Sequence, residues 1–357
     1  MCSMIAADVL VVGLGPAGAS AASAAAAKGA HVIAIDRKSQ AGVPVQCAEL
    51  VPHMIAMECA EVDRARRQHI AAMATYVEDA LPYVEPQFPG IMIDRAAFDA
   101  ALVDQAREAG ADCRLKHPLR AIDDNGVATL ANGSRITSKV LIGADGPHSI
   151  VGKAIGSPNT EIAETRQITV PLLQSFDATD IFLSAGIPGG YGWLFPKGSV
   201  ANLGLGVAPA WRHQLKPLLE DLHDRLAEQG RVGREVLAHT GGAIPVGGMR
   251  QLVSNLDGTT VLLAGDAAGL SNPISGAGIN TAVISGREAG AAAARIVAGE
   301  SDAGKDYADE ITALFGPSLD RALARRRELM AIYASNRMPL ASELQKGWIA
   351  FDAYWAA

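Results

Sequence analysis

A glycine-rich turn near the start of the chain constrains the fold more than any other feature. Gly13, Gly15 and Gly18 follow the short apolar run 8–12 and precede an alanine-rich segment, after which a second apolar run covers 31–35. In a strand–turn–helix unit the first glycine permits the tight turn, the second lets the backbone approach a pyrophosphate, and the third allows close helix–strand packing. The pattern therefore predicts a βαβ unit that binds a dinucleotide.

An acidic residue stands where the second strand of this unit is expected to end. Asp36 follows the second apolar run at about the usual distance for a carboxylate that bonds the ribose hydroxyls of a dinucleotide. The predicted helix N-terminus offers free N–H groups and a positive dipole to the phosphates. Ala17 in that helix and Arg37 beside the carboxylate are predicted to belong to the same cofactor site.

Two later segments repeat this arrangement at the ends of further apolar runs. Asp145-Gly146 follows the run 139–142, and Gly265-Asp266 follows the run 259–263. The second segment continues into a loop and helix start whose free backbone N–H groups are suited to stabilising negative charge at a flavin ring. The residues predicted to bind the cofactor here are Asp145, Gly146, Gly265, Asp266, Pro273, Gly276, Gly278 and Ile279. Together the three segments predict a pocket for an entire FAD molecule.

The chain length of 357 residues favours two domains. Apolar runs in the middle of the chain are short, strand-like and separated by Gly and Pro, and the run 259–263 returns to the character of the first domain. The predicted division is an FAD-binding domain over 1–155 and 256–300, a substrate domain over 156–255, and a helical region over 301–357. The predicted fold class is α/β, with a Rossmann-like FAD-binding domain of glutathione reductase type 2, an inserted β-sheet substrate domain and C-terminal helices.

Composition argues against several classes of protein. The net charge is −7, so no basic face for nucleic acid is expected. The four cysteines, Cys2, Cys47, Cys59 and Cys113, lack metal-ligand spacing, which predicts reduced thiols and no metal site. No apolar run reaches the roughly 18 to 20 residues of a membrane span, and no leader is expected before the first strand. The expected location is the cytoplasm, with peripheral attachment to a membrane left open.

The C-terminal region carries two patterns. Trp348, Phe351 and Trp355 have helical spacing, which predicts one helix face that covers the core, with a lipid or partner surface as the alternative. Four arginines predict a solvated basic helix patch, with attraction to an anionic membrane or an acidic partner as the alternative. They are Arg321, Arg325, Arg326 and Arg327.

The order of the three cofactor motifs resembles the FAD-dependent hydroxylase superfamily typified by p-hydroxybenzoate hydroxylase. Two further segments, Pro-Val-Gln-Cys-Ala-Glu at 44–49 and Gly-Tyr-Gly-Trp-Leu-Phe-Pro-Lys at 190–197, are similar to its geranylgeranyl reductase branch. The resemblance implies FAD as the cofactor and NAD(P)H or another reductant as a transient electron donor. It also implies that Arg95 faces the FAD.

The same resemblance assigns catalytic and substrate residues. It implies that Cys47 lies near the flavin and takes part in catalysis as a proton donor. It also implies that Tyr191 and Trp193 line the substrate cavity beside the flavin. Because these two residues lie two apart on a predicted strand, their rings point to one face. Flat aromatic walls suit an apolar or prenyl substrate.

The leading functional hypothesis is hydride transfer from reduced FAD to an apolar or prenyl carbon–carbon double bond, with Cys47 or solvent supplying the proton. The first alternative is a monooxygenase that hydroxylates an aromatic or indole group, including a tryptophan of a partner protein during quinone-cofactor maturation. A flavin-dependent halogenase is a lower alternative, because the segment 191–196 is similar in shape to the halogenase signature. A flavin-binding adaptor or redox sensor is the non-enzymatic alternative.

Overall fold

The computed structural model describes residues 4–356 and arranges them in three β-sheets with flanking helices. In chain order the strands are β1 (Met4–Val12), β2 (Val32–Ile35), β3 (Leu50–Pro52), β4 (Arg66–Ile70), β5 (Ala72–Val77), β6 (Tyr83–Glu85), β7 (Gly90–Ile93), β8 (Asp112–Arg114), β9 (Leu119–Ile122), β10 (Ala128–Leu130), β11 (Arg135–Gly143), β12 (Ile162–Pro171), β13 (Ala178–Leu183), β14 (Gly192–Lys197), β15 (Val200–Val207), β16 (Ala238–Pro245), β17 (Val253–Leu256) and β18 (Thr259–Leu263). The helices are α1 (Pro16–Ala27), α2 (Ile55–Glu58), α3 (Glu61–Ala65), α4 (Arg95–Glu108), α5 (Ile150–Ala154), α6 (Leu215–Glu228), α7 (Ile279–Val297), α8 (Ala303–Ala334), α9 (Ala341–Lys346) and α10 (Asp352–Trp355), with 3₁₀ turns at Pro209–Gln214 and Gly265–Ala268.

The first sheet has eight strands and carries the cofactor motifs at its ends. Its main strand order is β17-β18-β11-β1-β2-β8. Strand β1 runs parallel to both of its neighbours, with Val9 opposite Val140 of β11 and Val32 of β2. Residues 9–12 are all buried apolar side chains, as expected for a central parallel strand with helices on both faces.

Small residues let the two central helices of this unit meet at backbone distance. A Cβ added at Gly286 of α7 would lie 2.0 Å from the carbonyl oxygen of Ala17 in α1, and one at Gly290 would lie 2.2 Å from that of Ala21. The alanine-rich composition of α1 therefore has a packing cause, because larger side chains would separate the helices.

The second sheet has seven strands in the order β16-β12-β15-β14-β13-β5-β6. Leu219, Leu222 and Leu226 of the amphipathic helix α6 pack on one face of it. The opposite face carries polar side chains of β12 and β15 that contact the loop before β3. Two of its strands, β5 and β6, come from the segment that the sequence places in the FAD-binding domain, so the sheet is assembled from both sides of residue 156.

The features of these sheets and helices confirm the predicted fold class. The mostly parallel first sheet is Rossmann-like, the second sheet adds the β-rich unit, and helices α8 to α10 close the chain. The helix predicted at the end of the cofactor pattern coincides with α7. Among residues 4–356, no helix is both long enough and apolar enough to cross a bilayer.

Both C-terminal predictions need correction. Trp348 and Phe351 lie in turns and only Trp355 lies in a helix, α10, so the three aromatic residues do not share one helix face. Trp348 is buried in the core whereas the Trp355 side chain is exposed. The four arginines are not a uniformly solvated patch either. Arg325 and Arg326 are buried, because main-chain carbonyl groups of other segments surround them on the inner face of α8.

Candidate active site

The first glycine turn is shaped both for the fold and for a ligand. Gly13 has a φ of +96°, and a Cβ there would lie 2.2 Å from the carbonyl oxygen of Ala144. A Cβ at Gly18 would lie 1.7 Å from the carbonyl oxygen of Gly13. At Gly15 a Cβ would meet no protein atom within 4 Å. The first and third glycines therefore serve the packing of the protein, while the second borders open space at the start of α1.

The remaining residues of the dinucleotide half lie around this turn. Asp36 accepts hydrogen bonds from the backbone N–H groups of Leu14 and Lys38, each at 2.7 Å, which holds its carboxylate beside the turn. Arg37 is exposed on the surface next to it. Ala17 is buried against α7, as described above, so the structure gives it a packing contact. The roles of all three toward the cofactor stay predictions.

The second cofactor segment is held by a helix cap. The Asp145 carboxylate accepts hydrogen bonds from Ser149 Oγ and, at 2.6 Å, from the N–H of Ile150, while the Ser149 hydroxyl caps α5. Burial raises the pKa of Asp145, and these hydrogen bonds oppose the shift. Gly146 has a φ of +82° and, like the second glycine of the first turn, borders open space. This segment therefore presents backbone toward the predicted cofactor.

The third cofactor segment ends in a helix N-terminus without a side-chain cap. Helix α7 starts at Ile279 after Gly278, and a Cβ at Gly278 would lie 2.5 Å from Ser271 Oγ. The Ser271 hydroxyl donates to Asp266 Oδ1 at 2.6 Å. Burial raises the pKa of Asp266, opposed by that hydrogen bond and by the positive charge of Arg95. The first N–H groups of α7 are thus free for the negative charge of a ligand.

The loop between these residues is folded by its own turns. Gly276 has a φ of +69°, which favours glycine, and its N–H donates to the carbonyl oxygen of Asn272 at 2.9 Å. The Asn272 side chain accepts from the N–H groups of Ile274 and Ser275. Pro273 therefore sits in a tightly bonded loop that is held beside the start of α7. The loop formed by residues 272–278 is called the flavin loop below.

Arg95 joins the cofactor side of the site to the predicted catalytic cysteine. Its Nε donates to Asp99 Oδ1 at 2.7 Å, and its guanidinium also interacts with the Cys47 side chain and, electrostatically, with Asp266. Burial opposes its charge, but Asp99 and Cys47 together hold the pKa of Arg95 above its ordinary value. The sequence-based prediction that Arg95 faces the FAD is compatible with this place between the two groups.

The Cys47 loop is fastened to the second sheet. The N–H of Glu49 donates to Cys47 Sγ at 3.1 Å. Gln167 of β12 donates from Nε2 to the Cys47 carbonyl oxygen at 3.2 Å and accepts at Oε1 from Trp193 Nε1 at 2.9 Å. A chain of hydrogen bonds therefore connects the predicted proton donor with the predicted substrate wall.

Glu49 is one residue of the site whose contacts the sequence did not reveal. It is buried, and its φ of +69° is uncommon for a residue other than glycine. Its carboxylate accepts from Lys197 Nζ at 2.5 Å, from Asn202 Nδ2 at 2.9 Å and from the N–H of Arg95 at 2.9 Å. Glu49 and Lys197 are the last residues of the two reductase-like segments and have opposite charges. These charges were the one sequence signal for an ion pair, but nothing in the sequence shows that the two residues meet.

An aromatic wall stands beside the Cys47 loop. The ring centroids of Tyr191 and Trp193 are 5.7 Å apart, and Trp348 packs on Tyr191 at 4.7 Å. The Tyr191 hydroxyl donates to the carbonyl oxygen of Ser275 in the flavin loop at 2.6 Å. Burial and, to a smaller extent, Cys47 raise the pKa of Tyr191, so its hydroxyl remains protonated. The wall consists of Tyr191, Trp193 and Trp348, and it is tied directly to the flavin loop.

Trp348 was assigned to the core by the sequence, not to this wall. Its indole Nε1 is buried without a hydrogen-bond partner, one of five such side-chain atoms among residues 4–356. By contrast, the Nε1 of Trp193 is bonded to Gln167. A C-terminal residue thus completes a site whose other members lie far earlier in the chain.

The fold and the three cofactor segments define a flavin-dependent oxidoreductase. A profile described as "FAD binding domain" matches residues 6–182, and one described as "Geranylgeranyl reductase catalytic domain" matches residues 163–244. The chain is 35% identical to digeranylgeranylglycerophospholipid reductase 2 of Methanopyrus kandleri over 88% of this chain and 85% of that protein. It is 32% identical to digeranylgeranylglycerophospholipid reductase of Methanocella arvoryzae over 95% of this chain and 91% of that protein. The chain belongs to the geranylgeranyl reductase family of FAD-dependent reductases.

Solved structures agree with this membership. A geranylgeranyl bacteriochlorophyll reductase-like protein from Thermoplasma acidophilum matches with a TM-score of 0.85 and 26% identity, over 99% of this chain and 96% of that one. PqsL of Pseudomonas aeruginosa matches with a TM-score of 0.71 at 18% identity, over 91% of this chain and 97% of that one. The myxobacterial chondrochloren halogenase matches with a TM-score of 0.68 at 18% identity, over 98% of this chain and 96% of that one. The last two likenesses concern the fold alone. The family membership confirms the predicted FAD cofactor and reductase class.

Proposed function

We propose that the protein reduces carbon–carbon double bonds in the prenyl chains of a lipid. The observation that carries this proposal is the place of Cys47 between Arg95 and the aromatic wall, which is bonded to the flavin loop. An apolar wall of three large rings suits a hydrocarbon chain. The names of the relatives, digeranylgeranylglycerophospholipid reductases, support a prenyl lipid as the substrate class.

Bound FAD in its reduced state supplies a hydride to one carbon of the double bond. We assign the proton for the other carbon to the Cys47 thiol. The sulfur left behind would lie beside the guanidinium of Arg95 and accept the N–H of Glu49. Tyr191, Trp193 and Trp348 would hold the chain flat and exclude water from the reacting carbons.

The cofactor residues and the domain division stay proposals as well. The N–H groups around Gly15 and the Asp36 carboxylate would hold the dinucleotide half, and Asp145-Gly146 would adjoin the pyrophosphate. Asp266 and the flavin loop would hold the ribitol and the ring. Segments 1–155 and 256–300 would then serve the cofactor and 156–255 the substrate, with β5 and β6 completing the substrate sheet. The electron donor would be NAD(P)H or another reductant.

The membrane is where a prenyl glycerophospholipid resides, and peripheral contact with it is part of this proposal. A partner protein that carries a target tryptophan finds no support in the comparisons, which point to a lipid substrate. Monooxygenase and halogenase activities have only the shared fold in their favour.

The test is anaerobic turnover with a defined lipid. The FAD-loaded protein is reduced with dithionite and mixed with digeranylgeranylglycerophospholipid in detergent micelles. We expect flavin reoxidation without oxygen and a lipid product that gains two hydrogens for each reduced bond, measured by mass spectrometry. Flavin that stays reduced in the presence of the lipid would contradict the proposal. A product that gains oxygen only in air would indicate the monooxygenase alternative.

The role of Cys47 has its own test. Replacing the thiol in Cys47→Ala removes the proton donor, and general acid catalysis is typically worth about a hundredfold or more in rate. Cys113→Ala is the matched control, because Cys113 is a half-buried free cysteine in a different part of the fold. Equal reduction rates for the two variants would remove Cys47 from the mechanism while leaving the substrate assignment intact.

A further inference from the structure

Arg326 is a buried cation whose charge no carboxylate neutralises at close range. It lies on the inner face of α8 with 7% of its surface exposed. Among residues 4–356, no acidic side chain lies within ion-pair distance of its guanidinium, and Glu161 acts on it only electrostatically at longer range. Burial lowers the pKa of Arg326 to about 10, so it remains positively charged at neutral pH. A buried charge destabilises the folded protein unless hydrogen bonds or an opposite charge compensate for its lost hydration.

The guanidinium bonds to two loops of the site. Nη1 donates to the carbonyl oxygen of Gly189 at 2.8 Å and to that of Pro273 at 3.4 Å. Gly189 lies two residues before Tyr191 of the aromatic wall, and Pro273 belongs to the flavin loop. The Tyr191 hydroxyl bonds the same flavin loop at Ser275. Two side chains, those of Tyr191 and Arg326, therefore link the segment 189–193 to the flavin loop.

Helix α8, which carries Arg326, contacts both the cofactor sheet and the loops of the substrate sheet. Near its start, the Tyr307 hydroxyl donates to the carbonyl oxygen of Leu263 at the end of β18, at 2.6 Å. Near its end, the Tyr333 hydroxyl donates to the carbonyl oxygen of Ala185 in the loop before the aromatic wall, at 2.9 Å. The helix is thus anchored at the cofactor sheet and at the substrate sheet, with Arg326 between the anchors.

We propose that Arg326 is a positioning residue that sets the flavin loop against the aromatic wall and brings a positive charge to the carbonyl group of Pro273. A charged donor holds a carbonyl group more firmly than a neutral one. The charge also favours the more negative, reduced state of a flavin held by this loop. The inference rests on FAD binding and not on the prenyl substrate, because its main readouts need no substrate.

The experiment compares three variants of the full-length, FAD-loaded protein. Arg326→Met removes the positive charge and the hydrogen-bond donors. Arg326→Lys keeps the positive charge but replaces the planar guanidinium with an ammonium group. Arg327→Met is the control at the neighbouring exposed position. We measure the FAD dissociation constant, the visible flavin spectrum, the midpoint potential of the bound flavin and the melting temperature.

We expect Arg326→Met to bind FAD about tenfold more weakly, a loss typical of one charged hydrogen bond. Its midpoint potential should become more negative and its flavin spectrum should change. Arg326→Lys should keep most of the potential while its spectrum changes, and Arg327→Met should match the unmodified protein. If Arg326→Met fails to fold, Arg326→Gln replaces it, because the amide keeps N–H donors without the charge.

The proposal is overturned if the neutral variant at position 326 has the FAD affinity, spectrum and potential of Arg327→Met. A lower melting temperature without any change in the flavin would indicate a purely structural role and would overturn it as well. Failure of the lipid assay affects none of these readouts, so the two proposals are tested separately.

Discussion

The flavin side and the substrate side of the site are built by different means. On the flavin side, the surface is backbone: Gly15 and Gly146 border open space, and α7 begins without a side-chain cap. On the substrate side, buried side chains tie distant segments together. Glu49 and Lys197, for example, are 148 residues apart in sequence and form an ion pair. The flavin side depends on glycines, which have no side chain, and the substrate side depends on hydrogen bonds and ion pairs between side chains.

The difference explains how each side responds to change. A backbone turn fails when a single Cβ enters a space that is already filled or that the ligand needs. A buried polar network fails when one member is lost, because its partners then remain desolvated without a hydrogen bond. Mutations on the two sides should therefore have different effects on protein stability and on FAD affinity when the two quantities are measured independently.

The largest effect is expected on the substrate side. Glu49→Ala leaves Lys197 partly buried without its counter-ion and frees the Arg95 and Asn202 donors, which should cost about 3 kcal/mol of unfolding free energy. Urea unfolding measures this loss. Asp309→Ala, which breaks the exposed pair with Lys305, is the control and should change the stability little. A loss in Glu49→Ala no larger than in the control would show that the network does not stabilise the site.

A somewhat smaller effect is expected for the glycine that packs against backbone. Gly18→Ala forces a methyl group into the carbonyl oxygen of Gly13, and overpacking of this kind costs about 2 kcal/mol. Gly186→Ala is the control, because its Cβ would approach only the Ser184 hydroxyl at 3.5 Å. Thermal unfolding of both FAD-free proteins measures the difference, and equal melting temperatures would contradict the tight packing of this turn.

Gly15→Ala should separate folding from binding. Its backbone has a φ of −76° and its Cβ meets no protein atom, so the FAD-free protein should keep its stability or gain about 0.5 kcal/mol. The methyl group would occupy the space proposed for the pyrophosphate and should weaken FAD binding about tenfold, or about 1.4 kcal/mol. Titration calorimetry with FAD gives the affinity. An unchanged affinity would place the pyrophosphate elsewhere.

The smallest expected effect compares two tryptophans of the aromatic wall. Trp193→Phe leaves Gln167 without its indole donor, whereas Trp348→Phe removes an N–H that has no partner. Because both changes shrink the ring equally, Trp193→Phe should be the more destabilising by about 1 kcal/mol. Urea unfolding of the pair measures the difference, and a larger loss in Trp348→Phe would mean that its N–H is bonded in solution.

The fold of the FAD-binding half was largely predictable because its signals are local. The glycines, the adjacent acids and the apolar runs before them lie within short segments, and each restricts the backbone of its own turn. The end of the pattern at α7 was predicted for the same reason. The prediction that Trp348, Phe351 and Trp355 share one helix face was wrong. Helical spacing of only three residues is weak evidence for a helix, and the chain bends at Trp348 and Phe351.

The sequence by itself determined the βαβ unit, the FAD motifs, the reductase-like segments and Cys47 as a candidate, since a glycine or a strand acts on its immediate neighbours. Only the tertiary structure decided that Glu49 pairs with Lys197, that Trp348 completes the aromatic wall and that Arg326 turns inward. These contacts join residues far apart along the chain. The partner of a charged or aromatic side chain is therefore set by the packing of the sheets and helices. Long-range pairing in three dimensions is the information that local patterns do not contain.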